Sequence, residues 1–209
     1  GGGGSAAQSQ AGWSTDPIDA SALGLADGTL NLTVRSLKTP WVSVGASTLG
    51  LSLERSRMVV KMAPISVFSG TLNGQFVANN RNGLSVGGNL RIEGIEMQDA
   101  LRVAADIEQL SGKASGQLEF LGVGQSEDAI MRSLSGKGAL HMGRGVISGF
   151  DLDKLMNSGS GSGGTTVFNS LGASYTMTAG NLSNQDLLLQ LDNYRADGKG
   201  RVGVGGRDI

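Results

Sequence analysis

The sequence predicts a mainly β fold of the α+β kind: a curved antiparallel meander sheet, groove-like in form, with two or three short helices packed on it. Three observations predict it. Apolar and polar residues alternate in run after run, the period of a strand with one apolar and one polar face. Glycine supplies 35 of the 209 residues, well over twice the ordinary share of about 7%. Outside two Gly/Ser tracts these glycines fall between the alternating runs, where a sheet turns, bulges or bends. Aromatic residues are only 4%, so the core is expected to be aliphatic.

Residues 1–12, GGGGSAAQSQAG, have no apolar face and read as a flexible leader or linker. Residues 13–157 read as the first part of a β-rich domain, and residues 165–209 as its C-terminal strands. Between them residues 158–164, SGSGSGG, read as a linker. That tract is either an engineered replacement for a deleted loop or a natural Gly/Ser loop.

The first strand is expected at Thr29–Leu37, with Leu30, Leu32 and Val34 on one face. Leu49–Leu53 repeats the pattern through Leu49, Leu51 and Leu53, and Met58, Val60 and Met62 follow. Thr71–Ala78 places Leu72 and Phe76 together, and Leu84–Glu93 places Leu84, Val86, Leu90 and Ile92 together. Asn82-Gly83 between the last two runs is the strongest hairpin signal, because both residues tolerate positive φ. Asp27-Gly28 and Ala179-Gly180-Asn181 are weaker turn signals.

A helical period then replaces the alternation. Met97–Leu110 sets Leu101, Val103, Ala104, Ala105, Ile107 and Leu110 largely to one side, with Arg102, Asp106 and Glu108 outside. A second helix is expected at Glu127–Leu134, with Ser126 as N-cap and two acidic residues in its first turn. A third helical turn starts at Asp151. Strands resume at Gly116–Gly122, Gly138–Met142, Leu171–Thr178, Asp186–Leu191 and Gly198–Val204. No βαβ alternation argues for a parallel sheet.

Composition excludes several functions. A net charge of -1 and a pI near 5.8, with no run of three basic residues, give no electrostatic footprint for nucleic acid or for an anionic membrane surface. There is no Cys, which removes disulfides, thiolate metal sites and cysteine nucleophiles. The longest aliphatic run is Leu187-Leu188-Leu189, far short of the roughly 18 residues of a span, and no secretory leader is legible. The chain is therefore expected to be soluble as it stands, with any anchor in a segment it does not contain.

No catalytic, cofactor or metal constellation emerges. His141 is the single histidine, and it reads as a solvent-facing strand residue. A P-loop needs Gly-Lys followed by Ser or Thr, but Lys113, Lys137 and Lys199 are followed by Ala114, Gly138 and Gly200. Gly122-Val123-Gly124 lacks the third glycine of a dinucleotide fingerprint. Asp151-Leu152-Asp153 runs into a helix and not into a calcium loop. The acidic residues are dispersed through turns and helix exteriors, Asp16 and Asp19 included. The chain is expected not to be an enzyme.

Several ordered motifs resemble the C-terminal periplasmic region of the AsmA family. The lead-in Trp13-Ser14-Thr15-Asp16-Pro17-Ile18-Asp19 with Ser21-Ala22-Leu23 is similar to that family's opening. Pro64-Ile65, the bend Phe68-Ser69-Gly70-Thr71, Leu110-Ser111-Gly112, Leu134-Ser135-Gly136-Lys137-Gly138 and Gly145 to Leu152 follow in order. Thr165-Thr166-Val167-Phe168-Asn169-Ser170-Leu171-Gly172-Ala173-Ser174-Tyr175 is similar to a further family block. Each motif alone is weak; the ordered set, over about residues 13–205, is specific. One departure is the short Gly/Ser segment before Thr165, where the resemblance implies a longer stretch.

The resemblance implies a part of a protein anchored in the inner membrane of a Gram-negative bacterium and extending into the periplasm. It implies kinship with bridge-like lipid-transfer proteins and a role in phospholipid traffic and outer-membrane biogenesis, without cofactor or catalytic residues. The expected partners are phospholipid or another envelope lipid, and envelope proteins. Burial is worth about 0.8 kcal/mol per methylene, so a chain of on the order of sixteen methylenes needs roughly 13 kcal/mol of shelter. The candidate lipid contacts are Leu30, Leu32, Val34, Leu49, Leu51, Leu53, Met58, Val60, Met62, Leu84, Val86, Leu90 and Ile92. The same stripes also suit an ordinary filled core, with the Met97–Leu110 helix occupying the concave face. In that case the domain is a structural or docking piece that caps the sheet or binds envelope proteins. A sugar-binding or glycan-cleaving β protein fits poorly, for want of aromatic platforms.

Overall fold

The computed structural model describes residues 12–38, 43–105 and 107–206. They form one open, curved sheet in which every pairing is antiparallel. The strands are β1 (Gly28–Val34), β2 (Leu37–Lys38), β3 (Ser43–Val44), β4 (Ser47–Glu54), β5 (Arg57–Val67), β6 (Gly70–Asn79), β7 (Ser85–Glu96), β8 (Leu110–Val123), β9 (Ser135–Phe150), β10 (Ser162–Phe168), β11 (Ser170–Thr178), β12 (Asn181–Gln190) and β13 (Arg195–Gly203). The path runs β1-β4-β5-β6-β7-β8-β9-β11-β12-β13. The small β2–β3 hairpin attaches to β5 through Val44 and Val67. Three short helices interrupt the meander: α1 (Met97–Ala105), α2 (Glu127–Ser133) and α3 (Leu152–Ser158).

Three hairpins close in two residues, Arg55-Ser56, Phe68-Ser69 and Ala179-Gly180. Both central residues have positive φ in each: 46° and 60°, 48° and 62°, 48° and 71°. That is the turn whose twist matches its flanking strands. The Asn82-Gly83 signal falls in a longer loop instead. Asn79 still pairs with Ser85, and only Gly83 of the two has positive φ. The loop is held open by neighbours: the Asn80 amide donates to the Ser56 carbonyl at 2.9 Å and its side chain to the Ala20 carbonyl at 3.3 Å.

The first helix is shorter than its apolar spacing predicts. It ends at Ala105, and Leu110 already pairs with Ile147 as the first residue of β8. A long ladder with β9 outcompetes the last helical turn, and Ser148 N–H donates to the Gln109 carbonyl at 2.8 Å to extend it. Helix α2 matches expectation closely, with the Ser126 hydroxyl accepting from the Ala129 amide at 3.2 Å. Helix α3 is capped by Asp151, whose carboxylate accepts from the Lys154 amide at 2.9 Å.

The Gly/Ser tract expected as a linker belongs to secondary structure. Ser158 ends α3, Gly159 caps it in the left-handed region at φ 74°, and Ser162 opens β10 opposite Phe150. Strands β10 and β11 then follow β9 in one register, Phe168 opposite Gly145 and Leu171 opposite Met142. Strand β10 has no counterpart among the expected strands, because its tract of glycine and serine carries no alternation.

The tightest packing lies at the α1 end. Ala114, Met142 and Phe168 are fully buried with Met97, ringed by Leu101, Leu110, Leu140, Ile147, Leu171 and Leu189. At the opposite end residues 12–27 run across the strand ends as a strap. Trp13 bonds to Val204, the Ser14 carbonyl accepts from the Asp128 amide, Ile18 N–H donates to Gln125, and Asp27 accepts from the Arg55 amide.

Candidate functional site

Residues directly opposite on neighbouring antiparallel strands point to the same face, so the register shows what each face carries. One row reads Leu30, Leu51, Val60, Phe76, Gly88, Phe120, Gly136, Met177, Leu182 and Val202 from the first edge to the last. The next reads Leu32, Leu49, Met62, Gly74, Leu90, Leu118, Gly138 and Tyr175. Nearer α1, Ile65, Leu72, Ile92, Gly116, Leu140 and Ala173 form another. Among the described residues paired in the ladders from β1 to β9, none on this face is charged.

The opposite face is mainly polar, apart from Val59, Val77 and Leu121 in one row. Asn31, Gly50, Lys61, Gln75, Asn89, Glu119, Lys137, Thr176, Ser183 and Arg201 form one row across it. Lys137 and Glu119 approach to 3.8 Å there. His141 lies on this polar face and is exposed, as the sequence indicates.

Twelve of the thirteen candidate residues lie in these apolar rows or at their margin on β1, β4, β5 and β7. Leu30 and Leu32 are 48% and 43% exposed, and ten others are partly buried. Leu84 differs: it precedes β7 and is buried, at 4%, at the α2 end. Helix α2 packs on β8 there with Ile130 buried. Helix α1 packs on β7 and β8 at the far end. It covers one end of the face and does not fill it.

Beside α1 the face deepens into an apolar hollow of about 370 Å³, lined by Val34, Val44, Ser47, Leu49, Ile65, Val67, Phe68, Leu72 and Val103. Its polar member, Ser47, is satisfied, donating to the Gly45 carbonyl at 2.8 Å. The site therefore offers a ligand hydrophobic contact and shape. Ile65, Val67, Leu72 and Phe76 belong to it although the sequence candidates omit them. A bulge between Met62 and Ile65 shifts the alternation, and Pro64 at that point is the signal that reveals it.

Aromatic side chains pack closely against glycines on this face. A Cβ on Gly138 would stand 2.3 Å from the Tyr175 hydroxyl, and one on Gly145 2.4 Å from the Phe168 ring. Phe76 and Phe120 flank Gly88, with ring centroids 6.3 Å apart. Burial raises the Tyr175 pKa above its ordinary value, keeping that hydroxyl neutral.

Among the described residues no group of three or more acidic, His or Cys side chains is placed to hold a metal. No helix among them is long and apolar enough to cross a membrane. Comparison with curated proteins and with solved structures returns no match. The family model described as AsmA family matches residues 2–187, and with most of its length so matched the chain belongs to the AsmA family.

Proposed function

We propose that the apolar face shelters lipid acyl chains in transit through the periplasm, as part of an inner-membrane-anchored protein supporting phospholipid traffic and outer-membrane biogenesis. The observation that carries this reading is the pair of faces: uncharged apolar rows in register across the strands from β1 to β9, backed by a mainly polar face, with helices at the two ends. Seven neighbouring strands from β1 to β9, spaced about 4.8 Å, make a surface roughly 29 Å wide. One acyl chain is about half of the ~30 Å hydrocarbon core of a bilayer. The face is therefore wide enough for a chain lying across the strands. Shielding is burial alone, so the role is non-enzymatic.

A second reading, a structural domain that docks envelope proteins, draws on the filled α1 end, where Phe168 and Met142 are packed as in an ordinary core. Photo-crosslinkers placed one at a time at Leu49, Gly50, Leu51, Ser52 and Leu53 in the membrane-anchored protein in cells separate the two. Lipid adducts at 49, 51 and 53 but not at 50 and 52 support shelter. Protein adducts at the odd positions, with no lipid, support docking.

A further inference from the structure

The two edges of the sheet are built differently. Among the described residues strand β13 pairs only with β12, and it carries exposed Arg195, Asp197, Lys199 and Arg201. Charges of this kind guard an edge against further pairing. Among the described residues strand β1 pairs only with β4. It carries no charge, no Pro and six exposed residues in seven, including Leu30 and Leu32. An unguarded edge presents a row of amide and carbonyl groups ready to receive another strand.

The sequence of that edge says which strand fits. Thr29-Leu30-Asn31-Leu32-Thr33 reads the same in both directions. An antiparallel partner of identical sequence, centred on Asn31, sets Thr29 against Thr33, Leu30 against Leu32 and Asn31 against its own copy. A two-fold axis normal to the sheet makes this arrangement and keeps the same face up in both molecules. Leucine then meets leucine on the apolar side, and asparagine and threonine meet their like on the polar side. The contact is isologous, so it closes at two copies.

We propose that two copies of this chain pair through β1, centred on Asn31, into one sheet with a continuous apolar face. The pairing stands whatever that face carries. One strand on one strand is a small contact, at the weak end of specific interfaces, so the dimer forms in a concentration-dependent manner.

The chain has no Cys, so single cysteines test the register directly. Directly opposite Cα atoms on paired strands lie within disulfide reach, whereas diagonal residues are about 7–8 Å apart. Under mild oxidation of the purified chain, Asn31→Cys should dimerise with itself. Leu30→Cys and Leu32→Cys should crosslink at least tenfold better when mixed than either does alone. A Lys199→Cys variant on the other edge should stay monomeric. In sedimentation, wild-type chain should shift from monomer to dimer with concentration, and Leu32→Lys should weaken that shift at least tenfold. The proposal is overturned by a wild-type monomer at every concentration, by equal crosslinking at all β1 positions, or by crosslinking at Lys199→Cys in place of Asn31→Cys.

Discussion

The indole N–H of Trp13 donates to the main-chain carbonyl of Val204 at 2.8 Å, joining residues 191 positions apart. This bond fixes one end of the strap to the residue just after β13, and the Asp27 carboxylate, accepting from the Arg55 amide at 2.8 Å, fixes the other end beside β1. Replacing Trp13 by Phe keeps the ring and removes the donor. The loss should be about 1 kcal/mol, the usual net worth of such a bond, read as a lower urea midpoint with an unchanged slope.

The apolar face and the buried cluster should respond differently to truncation. Phe168→Ala should cost about 3–5 kcal/mol and Met142→Ala about 2–5 kcal/mol, because both leave a cavity in closed packing. Leu51→Ser, on the partly open face, should cost only about 1 kcal/mol while removing lipid contact. Urea unfolding of the three variants checks this. A Leu51 cost equal to that of Phe168 would mean that the face is a filled core.

Strain in the β4–β5 turn offers a stabilising change. Arg55 and Ser56 both hold positive φ, which asparagine and glycine adopt more readily. The Arg55 side chain makes only an exposed ion pair with Glu54, worth little. The double change Arg55→Asn with Ser56→Gly should raise stability by about 0.5–1 kcal/mol, visible as a higher thermal midpoint.

Asp186 gives the fold an acid-sensitive joint. The Ser174 hydroxyl and amide donate to its two carboxylate oxygens at 2.6 and 2.8 Å, and Asn184 adds a third bond at 2.8 Å. These bonds, the Ser174 hydroxyl first, hold its pKa below the ordinary 3.8. A carboxylate with a depressed folded pKa contributes stability above its unfolded value, and that stability disappears as pH falls through the folded one. Unfolding measured from pH 5 downward should therefore show a loss below about pH 4 that Asp186→Asn flattens.

How much of this was legible beforehand depends on which signal governed each region. Leu30, Leu51, Val60 and Leu90 were readable as one-sided strands, since alternation is fixed by the pleat, and the register sets all four on one face. Ser126 was readable as a cap because its chemistry is local. Ile65 and Val67 were not assigned, since a bulge reverses the alternation within β5. Strand β10 was illegible because its partner, the C-terminal half of β9, and not its own sequence, orders it. The turn at Phe68-Ser69 is legible only through the family bend, and the one at Arg55-Ser56 is not legible, because neither residue pair favours positive φ; the strong ladders on either side impose it.

The strap also has a meaning in time. Most strands pair with their neighbours in sequence, so the meander can grow hairpin by hairpin, each step closing a short loop at low entropic cost. The Trp13–Val204 bond cannot form until β13 is in place. A chain made from its N-terminus can tie the strap to Arg55, Gln125 and Asp128 as those residues fold, but the bond to Val204 waits for β13. A chain stopped before β13 keeps the strap's earlier bonds and lacks the one that ties it to the far edge of the sheet.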